Sequence, residues 1–305
     1  MLAARVRHVQ TAAWTPRRGE ARATGHNGPP MRQDGSTPER PFPLAAAVAV
    51  TTAGIVAMVG GSAALALRSG LGLRAQIAVG TLALAFPAVA ALLLRPDLWP
   101  AVRGERRVAG PALGLSLLLG AALWVGSAGL MELQSLVVPP PAAYLDAFRA
   151  IHQALAPTGP LDALVSVLVI AVLPGVCEEL VVRGVFLPSL AHALGAGRGG
   201  ALAILVSALL FAAIHLDAYR FLFTFALGIV FGFVRLRTGS LWPSVLAHAG
   251  LNTLTFVVAP FVDDPTQPYT PQPLLGVACL LAGAAVSWPL LRALGRSVDS
   301  PPPRP

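Results

Sequence analysis

The chain has 305 residues, of which 55% are hydrophobic and 12% are charged, against roughly 25% charged in an ordinary soluble domain. With a mean hydropathy of +0.69, this excludes a soluble globular enzyme. The formal charge of +8 comes from arginine without any lysine, and seven of those arginines (Arg5, Arg7, Arg17, Arg18, Arg22, Arg32, Arg40) precede the first apolar run with no aromatic pattern among them, which argues against a nucleic-acid partner.

Residues 1–42 therefore read as a disordered, basic, cytoplasmic tail. No apolar core follows its first arginines, as a secretory signal would require. Met31 is a second candidate start, which would make the residues before it an extension. A spanning helix needs about 20 mostly apolar residues. Such runs lie at roughly 43–67, 73–94, 110–131, 161–184, 200–216, 219–236, 241–260 and 272–294. The fourth continues as a helix to about residue 194, through "RGVFLPSLAHALG". Between the third and fourth, "VVPPPAAYLDAFRAIHQALAP" starts at a proline cluster and has the amphipathic character of an interfacial segment. Gly 30 and Pro 28 predict interrupted, closely packed helices, and Gly228 and Gly232 have small-xxx-small spacing. Cys177 and Cys279 sit in apolar stretches without a CxxC pair and read as packed thiols.

The expected fold class is all-α: a polytopic membrane protein of about eight transmembrane helices with a polar site inside the bundle. Arginines assign its orientation. Segments on one side of this eight-span arrangement carry eighteen, and those on the other carry four. The positive-inside rule then places both termini in the cytoplasm.

Ionisable residues within spans are costly and are functional hypotheses by default. Glu178, Glu179 and Arg183 lie in the fourth run, Phe211 and His215 near the end of the fifth, and His248 and Asn252 in the seventh. Glu132, at the end of the third, reads as an interfacial carboxylate. Positions i and i+4 share a helix face, so Glu179 and Arg183 can neutralise one another. Glu178 is rotated about 100° from Glu179 and is left free. His248 and Asn252 present an imidazole and an amide to one place. A free carboxylate, two imidazoles and an amide from three spans offer a general base for water and donors for an oxyanion. The set Glu178, His215 and His248 could instead hold a zinc ion with one open position. Cofactors are therefore left open between none and zinc.

"EELVVRG", then "FAAIH", then "HAGLN" resemble the CPBP family, the CAAX-protease and bacteriocin-processing (Abi) intramembrane proteases, to which the Ras-converting endopeptidase of eukaryotes is related. Every position of that pattern is matched: Glu178, Glu179, Arg183, Phe211, His215, His248 and Asn252. "RTGSLWPSVLAH" is similar to the family's approach to its last motif. The resemblance covers about 161–260, and the competing signatures HExxH, GxGD and a rhomboid-like serine motif are missing from the sequence.

The resemblance implies an intramembrane endopeptidase, of metallo- or glutamic type, acting on a membrane-associated protein or peptide. Glu178 would activate water with His215, and His248 and Asn252 would stabilise the oxyanion. Glu179, Arg183 and Phe211 would support the helix or contact substrate. The domain organisation expected is the tail at 1–42, N-terminal helices and the interfacial segment at 43–160, the catalytic core at 161–260, and a last helix with a short tail at 261–305. The expected location is a bacterial inner membrane. Two other classes accommodate the same residues: a non-catalytic scaffold or chaperone of the same descent, and a proton-coupled transporter, which a lack of internal repeats disfavours.

Overall fold

The apolar runs all become helices, because a chain in lipid must satisfy its backbone polar groups within each segment. The structure, a computed structural model, describes residues 41–68, 70–104, 108, 110–195, 198–262 and 269–299. The tail up to residue 40, with Met31, lies outside the described residues. The helices are α1 (Leu44–Arg68), α2 (Leu73–Leu94), the short α3 (Trp99–Arg103), α4 (Gly110–Ser135), α5 (Ala142–Leu155), α6 (Pro160–Leu194), α7 (Arg198–Ala213), α8 (Phe221–Thr238), α9 (Trp242–Val262) and α10 (Pro273–Asp299). No strand occurs among the described residues. The fold class is as expected: all-α and of membrane type.

Eight of these helices fall on the eight predicted runs. Among the described residues, six are long and apolar enough to cross a membrane: α1, α2, α4, α6, α8 and α10. The full count of eight is thus not reached on length and composition. α7 is shorter, at 16 residues. α9 interrupts its apolar sequence with Ser244, His248, Asn252, Thr253 and Thr255. The apolar windows of α6 and α8 are each 50% buried and those of α1 and α10 only 17%, so α6 and α8 are the interior helices. α6 touches α1, α2, α3, α7, α8 and α9.

α6 runs unbroken for 35 residues to Leu194, the extension read from the sequence, but it widens twice. Leu168–Val172 and Leu180–Phe186 are π-helical. Each segment ends two residues before a proline, Pro174 or Pro188. A proline lacks an N–H and collides with the carbonyl four residues earlier, and a wider local turn accommodates both defects without ending the helix. Glu178 and Glu179 stand between the two widened segments.

α5 begins directly after the proline cluster, at Ala142. Its end is tied to the start of α6: Arg74 on α2 pairs with Asp162 and donates to the Leu155 carbonyl at 3.1 Å. At its other end, Tyr144 packs on Tyr219 with ring centroids 4.7 Å apart. Burial pushes the Tyr144 hydroxyl up to about 12, so it stays protonated at physiological pH. Glu132 accepts the Gln272 backbone N–H at 3.0 Å, joining α4 to the start of α10.

Candidate active site

The residues of the three sequence motifs come together because of hairpin geometry. Near-equal lengths of chain separate Glu178 from Leu194 and Arg198 from His215, so the antiparallel arms α6 and α7 bring the two side chains level. The same argument about the α8–α9 turn sets His248 opposite Phe231, whose ring stacks on the imidazole at 5.1 Å and 19°. α7 and α8 approach closely: a Cβ on Gly228 would lie 2.9 Å from the Cα of Ala208. This is the packing role that its spacing suggested.

α7 stops at Ala213, three residues short of the predicted run, and His215 sits in the turn that follows. The reason is local. Leu216 takes a left-handed φ of 52°, a conformation costing roughly 1–2 kcal/mol in an L-residue. Asp217 then accepts the backbone N–H groups of Tyr219 and Arg220 at 3.0 and 3.1 Å, satisfying donors at the start of α8. Gln134 on α4 donates to the Tyr219 carbonyl at 2.8 Å and holds the turn from above.

Glu179 and Arg183 are fully buried and paired at 2.8 Å. Arg183 also donates to the Gly228 carbonyl at 3.3 Å, and its guanidinium lies 4.0 Å over the Phe211 ring. Phe211 thus touches the arginine face, and its ring edge also meets His215 and His248 at centroid distances of 4.9 and 5.6 Å. The same Glu179 oxygen that meets Arg183 lies 3.1 Å from His248 Nδ1. A carboxylate paired with arginine only accepts hydrogen bonds, so His248 Nδ1 carries the hydrogen and donates it.

Glu178 points to a different neighbourhood, as its rotation on the helix required. Its Oε2 lies 3.8 Å from His215 Nε2 and 3.9 Å from His248 Nε2, and this oxygen is buried without a hydrogen-bond partner. His215 Nδ1 stands 2.7 Å from the Phe211 carbonyl, which can only accept, so that nitrogen donates and Nε2 faces Glu178. Two imidazoles therefore turn the same nitrogen to one carboxylate oxygen. Glu178 and His215 keep 17% and 19% of their side chains accessible, whereas Glu179 and Arg183 keep none. The first pair can meet a substrate and the second cannot.

Asn252 lies one turn beyond His248, half-buried. No hydrogen bond joins it to the Glu178 cluster among the described residues. Also among them, no group of three or more His, Cys, Asp and Glu side chains is gathered to hold a metal ion.

Sequence reasoning missed Arg235. It stands one residue before the end of the predicted run 219–236, where a cation ordinarily belongs to the interface, yet its side chain and that of Arg183 are buried in the core, Arg235 being only 5% exposed. The sequence offers little signal for it, since Leu236 is the one apolar residue between Arg235 and the turn at Gly239. Removing both arginines from the count leaves its bias on the same side.

A many-helix fold with six helices apolar enough to cross a membrane among the described residues is that of an integral membrane protein. Residues 160–254 match the family model described as type II CAAX prenyl endopeptidase Rce1-like, which bears out the resemblance read from the motifs. Over that segment the chain is similar, at family level, to CAAX-type intramembrane proteases. No curated protein and no solved structure matches the chain.

Proposed function

We propose that the protein is an intramembrane endopeptidase that hydrolyses a peptide bond of a membrane-associated protein or peptide by a glutamate-activated water. The observation that carries this reading is the convergence of two Nε2 atoms, within 3.9 Å, on one unpaired oxygen of Glu178. A water among them donates its hydrogens to the carboxylate and to His215, leaving its oxygen lone pair free for the scissile carbonyl carbon. As the C–O bond forms, Glu178 takes the water's proton, and it returns that proton to the amide nitrogen as the C–N bond breaks. His248, oriented by its Nδ1–H on Glu179, donates to the oxyanion once its Nε2 is protonated, and the Asn252 amide adds a second donor after a modest approach of the substrate.

Glu179, Arg183 and Phe211 act as support. They hold His248 in one orientation and keep a buried charge balanced. The core at 161–260 carries the reaction, and the helices α1, α2, α4 and α10 pack around it. Both termini face the cytoplasm, an orientation the arginine distribution supports, and the membrane is a bacterial inner membrane. The substrate is a CAAX-type carboxyl-terminal segment or a processed peptide.

The test is terminal-peptide profiling of membranes from cells making the wild type or Glu178→Gln. New termini present only with the wild type are expected, and they identify the substrate. Identical profiles in cells that contain both a prenylated CAAX reporter and leader-bearing membrane peptides would overturn the reading in favour of a scaffold.

A further inference from the structure

Arg235 is a buried cation whose hydrogen bonds all end on backbone carbonyls. Its Nε donates to the Arg183 carbonyl at 3.1 Å, and its Nη2 donates to the carbonyls of Ala101 and Val102 at 2.9 and 3.2 Å. No carboxylate pairs with it among the described residues. The two α3 carbonyls belong to the last turn of that helix, where carbonyl groups lack intrahelical partners and cations are favoured. The Arg183 carbonyl belongs to the widened segment Leu180–Phe186, where the ordinary i to i+4 ladder is interrupted.

The alignment with Arg183 is specific. On α8, Gly228, Phe231 and Arg235 follow at i, i+3 and i+7, which is one face of a helix. The Gly228 carbonyl receives the Arg183 guanidinium. The Phe231 ring lies 5.5 Å beneath that guanidinium and stacks on His248. Arg235 holds the Arg183 backbone. One face of α8 therefore grips Arg183 at its main chain and at its side chain. Arg183 in turn fixes the Glu179 oxygen that receives His248.

We infer that Arg235 is a positioning residue for the site: by locking the widened turn of α6 against α3 and α8, it sets the register in which Arg183 presents Glu179 to His248. It touches no reacting atom. A planar guanidinium with donors in a fixed fork can bridge three carbonyls from two elements, and a lysine ammonium can replace only part of that bridge. The inference rests on the reading of His248 as a site residue, so its primary test does not depend on turnover.

The test is nitrogen-15 NMR of histidine-labelled full-length protein in detergent micelles, with His248 assigned from His248→Gln. In the wild type, His248 should show one hydrogen-bonded Nδ1–H signal. Arg235→Met should remove or broaden it as the ring samples both tautomers, and Arg235→Lys should retain it in part. Leu294→Ala, which opens a cavity at a core residue 1% exposed, serves as a destabilised control and should leave the signal in place. An unchanged signal in Arg235→Met overturns the inference, as does an equal change in Leu294→Ala. If Arg235→Met does not fold, Arg235→Lys is read instead, and a wild-type spectrum from it overturns the inference.

Cleavage of a prenylated CAAX peptide supplies the second readout: kcat should fall on the order of 100-fold, the scale of a small misplacement of reacting groups, with KM within about twofold. A spectrum that changes as expected in a protein whose wild type cleaves nothing leaves the positioning role standing and removes the protease reading.

Discussion

Glu178 and Glu179 are adjacent and chemically identical, yet replacing each with glutamine should have opposite consequences. Glu179→Gln removes the charge that balances Arg183, and both side chains have no exposure. Breaking a buried pair by deleting one partner costs about 3–5 kcal/mol. The glutamine oxygen can still accept from Arg183, which places the expected loss near the lower end. For a protein of this size it corresponds to a fall in melting temperature on the order of 10 °C. Glu178→Gln breaks no hydrogen bond, because the Oε2 it replaces is buried and unpartnered. Removing a buried, unsatisfied negative charge relieves a desolvation cost, so the melting temperature should hold or rise. Its rate should fall roughly 10²–10⁴-fold with the loss of the general base. The assay is circular-dichroism melting of both variants in the same detergent, alongside cleavage of the substrate found by profiling. A Glu178→Gln protein that melts as low as Glu179→Gln would refute the reasoning, since Glu178 would then be a structural residue. So would one that retains the wild-type rate.

Three further outcomes are expected. His215→Ala should reduce cleavage nearly as far as Glu178→Gln, and Asn252→Ala should be milder, at roughly 10²–10³-fold for one lost oxyanion donor; equal rates in wild type and His215→Ala, measured by single-turnover cleavage, would remove the histidine from the water-activating pair. Gly120→Ala should impair activity out of proportion to its size. An added Cβ there would lie 2.4 Å from the Ala247 carbonyl oxygen, pushing α9 at the residue next to His248, and a variant with normal kcat would show that His248 tolerates that shift. Cleavage should persist after exhaustive chelation, and its loss with recovery on adding zinc would replace the glutamate mechanism by a metal-dependent one.

Short-range periodicity made much of this molecule legible. The i, i+4 spacing of Glu179 and Arg183 implied their ion pair, and the rotation between neighbouring glutamates implied that Glu178 faces elsewhere; both are properties of a single helix. Hydropathy located the helices for a similar reason, since each apolar run must fold upon its own backbone. Sequence was silent where two helices had to agree. The turn that ends α7 at Ala213 depends on a left-handed Leu216 and on Asp217 collecting backbone donors. Neither follows from the hydropathy of 200–216. The placing of His248 between Glu179 at Nδ1 and Glu178 at Nε2 depends on the register between α9 and α6. Arg235 was hidden most completely, because a cation near a span end normally belongs to the interface. It lies inside because α3 ends against α6 and supplies carbonyls that no other described donor reaches. A buried arginine whose partners are all main-chain groups leaves no complementary acid in the sequence to find. Such a residue becomes visible only when the helices that need its donors are placed beside one another, which is also why its effect should be felt at His248 rather than where it stands.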